Sequence, residues 1–122
     1  MIDRPDAAQL LCAMAETLTE QVLPATMGGA QHAARVVANL CRILEREIAL
    51  GEEAAETTRN ELARLLDRDA SLPELARALD DRLRGEPGGA ADGDPLFEAR
   101  AHAVLLADVR RRLAIDRPGY DA

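Results

Sequence analysis

The chain has 122 residues, enough for one core that withdraws roughly two thirds of the unfolded surface from water without disulfide staples, and Asp plus Glu outnumber Arg by 22 to 15 for a formal net charge of −7. A field of that sign repels polyanions, so nucleic acid is excluded as an expected partner; Arg110, Arg111 and Arg112, the one basic run, fan around a helix with no aromatic platform beside them. Phe97 and Tyr120 are the only aromatic residues, so Leu, Val, Ile and Ala must fill the interior, which favours helices.

The opening stretch MIDRPDAAQLL lacks the basic start and long apolar run of a secretory signal. Nor does any stretch approach the ~18 to 20 apolar residues that a membrane span requires. A soluble cytoplasmic protein with no membrane partner is therefore expected. Cys12 and Cys41 fall on separate predicted helices without CxxC spacing and are read as free thiols in small apolar positions.

In chain order, the first helix is expected to begin near Asp3 and to end at Val22, before Leu23-Pro24, with Ala7, Leu11, Met14, Ala15, Leu18 and Val22 on one arc. PATMGG then reads as a turn. A second helix is predicted over about Ala30 to Leu50, stopped by Gly51, and a third from Glu52 to about Asp67, with Glu52, Glu53 and Glu56 suited to its N-terminal dipole. Ser71 and Glu74 form a capping box for a fourth helix that carries Leu72, Leu75, Ala76, Leu79 and Leu83 inward. EPGGAADGD, residues 86–94, has linker composition and is expected to be a mobile loop. Asp94 and Pro95 open a fifth helix that runs to Ala114 or Ile115. The expectation is an all-α fold: a single domain over 1–122, built as a compact bundle of about five helices with short antiparallel connections.

One position in that scheme is anomalous. Val36, Leu40, Ile43 and Leu44 define an apolar arc on the second helix, and Glu47 falls inside it. On the last helix, Leu105, Leu106, Val109 and Leu113 define an arc that contains His102. A carboxylate buried without a donor is costly, so Glu47 and His102 are read as a buried structural pair, with a bundle-facing arginine as the alternative donor for Glu47. A catalytic acid–base pair lacks a cavity and a nucleophile at a meaningful spacing. A metal site of His32, Glu47 and His102 lacks the i, i+3 or i, i+4 ligand pair usual on helices. No catalytic residue, metal ligand or cofactor is assigned.

Beside the apolar arc, His32, Arg35, Asn39, Arg42 and Arg46 recur at steps of three and four, a polar seam along one helix flank. A solvated face is one reading; spare bidentate arginines facing a carboxylate-bearing partner or an anionic ligand is the other. The closing LAIDRPGY ends its helix at Pro118, leaving Tyr120 to fold back or to anchor another protein.

Three stretches, RPDAAQLL, ARVVANLCRILERE and LAIDRPGY, together resemble a family of small bacterial all-helical proteins of undefined domain function, encoded beside aminoglycoside-phosphotransferase-like kinases and acyl-CoA dehydrogenases. The resemblance implies a non-catalytic accessory subunit of a kinase acting on hydroxyacyl-CoA, with the phosphate chemistry left to that kinase. Consistent with this, the chain has no Gly-rich phosphate loop and no HxD-type catalytic loop. On this reading His32, Arg35, Asn39, Arg42, Arg46, Asp116 and Tyr120 are the candidate partner-binding residues, and self-association is left open. The alternative is a bundle that binds a small ligand or acyl-CoA at an arginine-lined anion site.

Overall fold

A computed structural model describes residues 5–85 and 94–120 of the protein. Four α-helices account for most of them: α1 (Ala7–Thr17), α2 (Gly28–Leu66), α3 (Leu72–Leu83) and α4 (Pro95–Asp116). The all-helical expectation holds among the described residues, with four helices in place of about five. The expected loop over 86–94 lies outside the described residues except for Asp94.

Asp6 caps α1, while Asp3 of the expected start lies outside the described residues: the Asp6 Oδ1 accepts the Gln9 N–H at 2.8 Å and Gln9 Oε1 accepts the Asp6 N–H at 2.9 Å, a reciprocal capping box. The helix widens into a π-helical turn at Leu18–Val22 and tightens into a 3₁₀ turn at Leu23–Ala25. Pro24 explains the change, because it has no N–H to donate and its ring clashes with the carbonyl four residues back. The carbonyls released there find side chains. Thr26 Oγ1 donates to Val22 O at 2.8 Å, and Gln31 Nε2 donates to Leu23 O at 3.1 Å.

The two middle helices expected from the sequence are one. α2 passes through Gly51, whose φ is not in the positive region, so the residue expected to supply a left-handed stop is an ordinary helical one. A glycine inside a helix costs only about 1 kcal/mol relative to alanine, too little to end a helix whose flanks pack. The stop comes instead at Asp67, which adopts φ 51°. There Arg68 N–H reaches Ala63 O at 3.0 Å and Asp67 N–H reaches Arg64 O at 3.4 Å, the paired bonds of a Schellman motif.

Ser71 caps α3, accepting the Glu74 N–H, and its hydroxyl also donates to Glu74 Oε1 at 2.8 Å. Asp94 caps α4 through a 3.1 Å bond from the Phe97 N–H, with Pro95 in the first helical position, as expected.

The described residues form two compact units. Unit 1 holds residues up to Gly51 together with Ile115–Pro118. Its buried side chains are Ala15 of α1, Ala34, Ala38 and Cys41 of α2, and Ile115. Small residues recurring at i, i+4 and i+7 thus form the buried face of this half of α2, and small side chains let a packed neighbour come close. The larger apolar residues lie outside: Val36, Leu40 and Leu44 are 42%, 50% and 49% exposed. Met14, expected in the core, is exposed as well.

Unit 2, residues 52–114 with the chain's last residues, has the larger core. Leu62 and Leu65 of α2, Leu75 and Leu79 of α3, and Phe97 and Ala101 of α4 form one cluster, with Leu66, Leu72 and Val104 packed against it. The Arg82 guanidinium lies 3.6 Å from the Phe97 ring centroid, a cation–π contact that also covers the aromatic edge of the core.

Because Gly51 is helical and a methyl group added at its Cα would meet first the movable Glu47 Cγ, at 3.3 Å, Gly51→Ala is expected to raise stability by about 1 kcal/mol. Chemical denaturation checks this, and a loss of stability would indicate that the helix breaks there.

Candidate functional site

The polar seam on α2 divides into residues that hold the fold and residues that face solvent. Arg46 Nε donates to Ile115 O at 2.7 Å, filling a carbonyl that the end of α4 leaves without a helical partner. Arg42 Nη1 reaches Glu45 Oε2 at 2.9 Å and Cys12 Sγ at 3.5 Å, linking α2 to α1. Hydrogen bonding to Cys12 first, then to Glu45, pushes the Arg42 pKa above its ordinary value. His32, Arg35 and Asn39 are exposed, as is Asp116 beyond the bond that Arg46 makes. Tyr120 is exposed too.

Glu47 of unit 1 and His102 of unit 2, expected as a buried pair, are each exposed. The apolar arcs that point them inward in the sequence prove to be outer faces. On α2 the buried arc is the alanine and cysteine face, and on α4 the buried arc likewise lies well away from the expected one. Taking Phe97 as the origin, the buried residues Phe97, Ala101 and Ile115 lie within about 40° of one another, whereas His102 and Leu106 lie on the far side. Leu105, Leu106 and Val109 are all exposed.

Asp108 and Arg111 occupy that buried arc of α4 along with the apolar residues, and a polar network lets them do so. Thr58 of α2, 4% exposed, donates from Oγ1 to Asp108 Oδ1 at 2.8 Å and accepts from Arg111 Nη2 at 2.9 Å. Arg111 Nη1 pairs with Glu61 Oε1 at 3.1 Å, and Asp108 Oδ2 pairs with Arg112 Nε at 3.0 Å. Sequence reasoning missed this network. The signal was present in Phe97, Ala101, Val104, Asp108, Arg111 and Ile115, which keep steps of three and four once the sole phenylalanine is taken as the anchor of the face.

Beside the network, unit 2 has a cavity of about 340 Å³ whose walls include Leu62, Leu72, Leu79 and Val104. Its polar lining consists of Thr58, Asp80, Asp108 and Arg112. Asp80 is bonded to Arg84 at the end of its own helix at 2.9 Å and Asp108 to Arg112 within α4, while the Thr58–Asp108 bond links the α2 and α4 walls. Two carboxylates against one guanidinium do not make a phosphate site. Among the described residues no group of three or more His, Cys, Asp or Glu could hold a metal ion, and no helix is long and apolar enough to cross a membrane.

The family model described as Domain of unknown function (DUF6285) matches residues 24–120. No curated protein and no solved structure matches the chain.

Thr58 joins two charged residues that would otherwise compete for water inside a packed face. Thr58→Val keeps the shape and removes both hydrogen bonds, so it is expected to cost about 2 kcal/mol. Thr58→Ser retains them and is expected to cost less than half as much. Equal losses from the two variants in urea melts would assign Thr58 to packing alone.

Proposed function

The chain belongs to the DUF6285 family, and from the resemblance carried by its helical motifs together with the surface of unit 1 we propose that it is a non-catalytic accessory subunit. Its partner on this reading is an aminoglycoside-phosphotransferase-like kinase acting on hydroxyacyl-CoA, which it binds and stabilises or activates. The observation that carries the reading is the bond from Arg46 to Ile115 O. It draws the polar line of α2 and the end of α4 into one folded unit, so that exposed His32, Arg35 and Asn39 and exposed Asp116 are presented by a single scaffold.

The division of labour follows from the chemistry. Phosphoryl transfer needs a positioned base, metal-binding carboxylates and cations aimed at the transferring group. Several arginines of this chain are engaged otherwise, among them Arg46 on a helix end, Arg42 on Glu45, and Arg111 on Glu61 and Thr58. What remains to offer is surface. A subunit that binds the folded, active form of a kinase in preference to other forms stabilises that form by mass action, without touching the substrate.

A second reading has the unit 2 cavity in its favour, since about 340 Å³ lies within the range of small-molecule sites. An acyl chain fits its apolar walls. The polar lining argues against the remainder of acyl-CoA, because its phosphates would meet Asp80 and Asp108 with Arg112 alone to offset them.

Co-expression with the neighbouring kinase, followed by size-exclusion chromatography, tests the proposal. One shared peak is expected, and Arg35→Ala with Asp116→Ala should weaken the complex about tenfold or more while leaving the melting temperature of the isolated chain unchanged. Two peaks that never merge would overturn it. A thermal shift with acyl-CoA in the absence of kinase would favour the second reading.

A further inference from the structure

Three helices, α2, α3 and α4, line the cavity of about 340 Å³ in unit 2. On α3 the lining residues Leu72, Ala76, Leu79 and Leu83 follow steps of four, three and four, one apolar stripe of the helix. Leu62 and Leu79 are buried and close the cavity on its inner side, whereas Leu83 and Leu105, each 43% exposed, stand at its mouth. Ala76 is exposed as well, and its short side chain leaves open the space that a longer residue in the stripe would take. A cavity of about 150 Å³ accepts benzene, so this one has room for roughly eight to ten carbon atoms.

Ion pairing sets the charge of the occupant. Of the charged groups at the lining, Asp80 is paired with Arg84, and Asp108 with Arg112. Behind Thr58, Arg111 is paired with Glu61. Each carboxylate thus has its guanidinium, and the surround is neutral pair by pair. A ligand charge of either sign would have to break one of these pairs or enter a partly buried site without a partner, and both cost free energy. An uncharged polar group meets neither cost. The Asp108–Arg112 pair uses the Nε–H of a guanidinium that has further donors, and the Asp108 carboxylate has further lone pairs. A hydroxyl can donate to the one and accept from the other. We propose that this cavity binds an uncharged aliphatic molecule of medium length whose one polar group is a hydroxyl, with the chain against Leu62, Leu79 and Val104 and the hydroxyl between Asp108 and Arg112. Such binding rests on the second reading above for the choice of cavity, differs from it in the charge of the ligand, and is independent of the kinase.

Titration of the full chain with 1-octanol, octanoate and octylammonium, followed by amide chemical shifts in NMR, tests it. The alcohol is expected to shift the amides around Leu62, Ala76 and Val104 saturably and to bind at least about tenfold more tightly than either ion. Ala76→Phe puts a ring into the cavity from an exposed position and should abolish these shifts, with the helical content by circular dichroism unchanged. Asp80→Asn, also at an exposed position, leaves Arg84 without its carboxylate, so octanoate should gain about threefold relative to the alcohol. That arm decides even if Ala76→Phe disturbs the fold. Octanol that leaves these amides unmoved, an ion that binds as tightly as the alcohol, shifts that persist in a folded Ala76→Phe, or an unchanged preference in Asp80→Asn would each overturn the proposal. Binding of octanol without binding of octanoyl-CoA supports it and removes the second reading, and binding of octanoyl-CoA without octanol does the reverse.

Discussion

Thr58 bonds both Asp108 and Arg111, and that choice of partner decides which side of α4 is inside unit 2. A hydroxyl is both donor and acceptor, so one buried atom satisfies a carboxylate and a guanidinium at once. With Glu61 taking the second arm of Arg111, the charged residues on the buried arc are accommodated. Phe97, Ala101 and Val104 can then pack on Leu62, Leu65, Leu75 and Leu79. The consequence is on the opposite side: Leu105, Leu106 and Val109 are left facing outward.

A parallel exchange occurs in unit 1 by different means. There the buried face of α2 is made of Ala34, Ala38 and Cys41 and the outward face of Val36, Leu40 and Leu44. Burying methyl-sized side chains yields less free energy per residue than burying leucines, but it permits close backbone approach and leaves the larger residues available. Unit 1 thus keeps Val36, Leu40 and Leu44 outside its own core, while unit 2 buries Leu62, Leu65, Leu75, Leu79 and Phe97 in its own.

Local signals were legible in the sequence and long-range ones were not. Ser71, Asp94 and Pro95 act within a few residues of themselves, so their caps could be read directly, as could the breaker at Pro24. Gly51 misled because glycine is permitted in a left-handed stop without being required to adopt it, and the helix ran on to Asp67. The arcs misled because counting apolar residues assumes that the most apolar face is the buried one. Thr58 and Asp108 are 50 residues apart, and no window of a dozen residues contains both. Of the polar seam, the spacing was visible, but the split between Arg42 and Arg46, which hold the fold, and His32, Arg35 and Asn39, which remain exposed, depended on where Cys12 and Ile115 fell.

The central claim is that Thr58, by bonding Asp108 and Arg111, holds the Phe97, Ala101 and Val104 side of α4 against the core of unit 2. Amide hydrogen exchange on Thr58→Val beside the wild type measures this most directly. Amides of α4 from Ala101 to Arg111 are expected to lose protection while those around Ala34 and Ala38 keep theirs. Unchanged protection along α4 would contradict it.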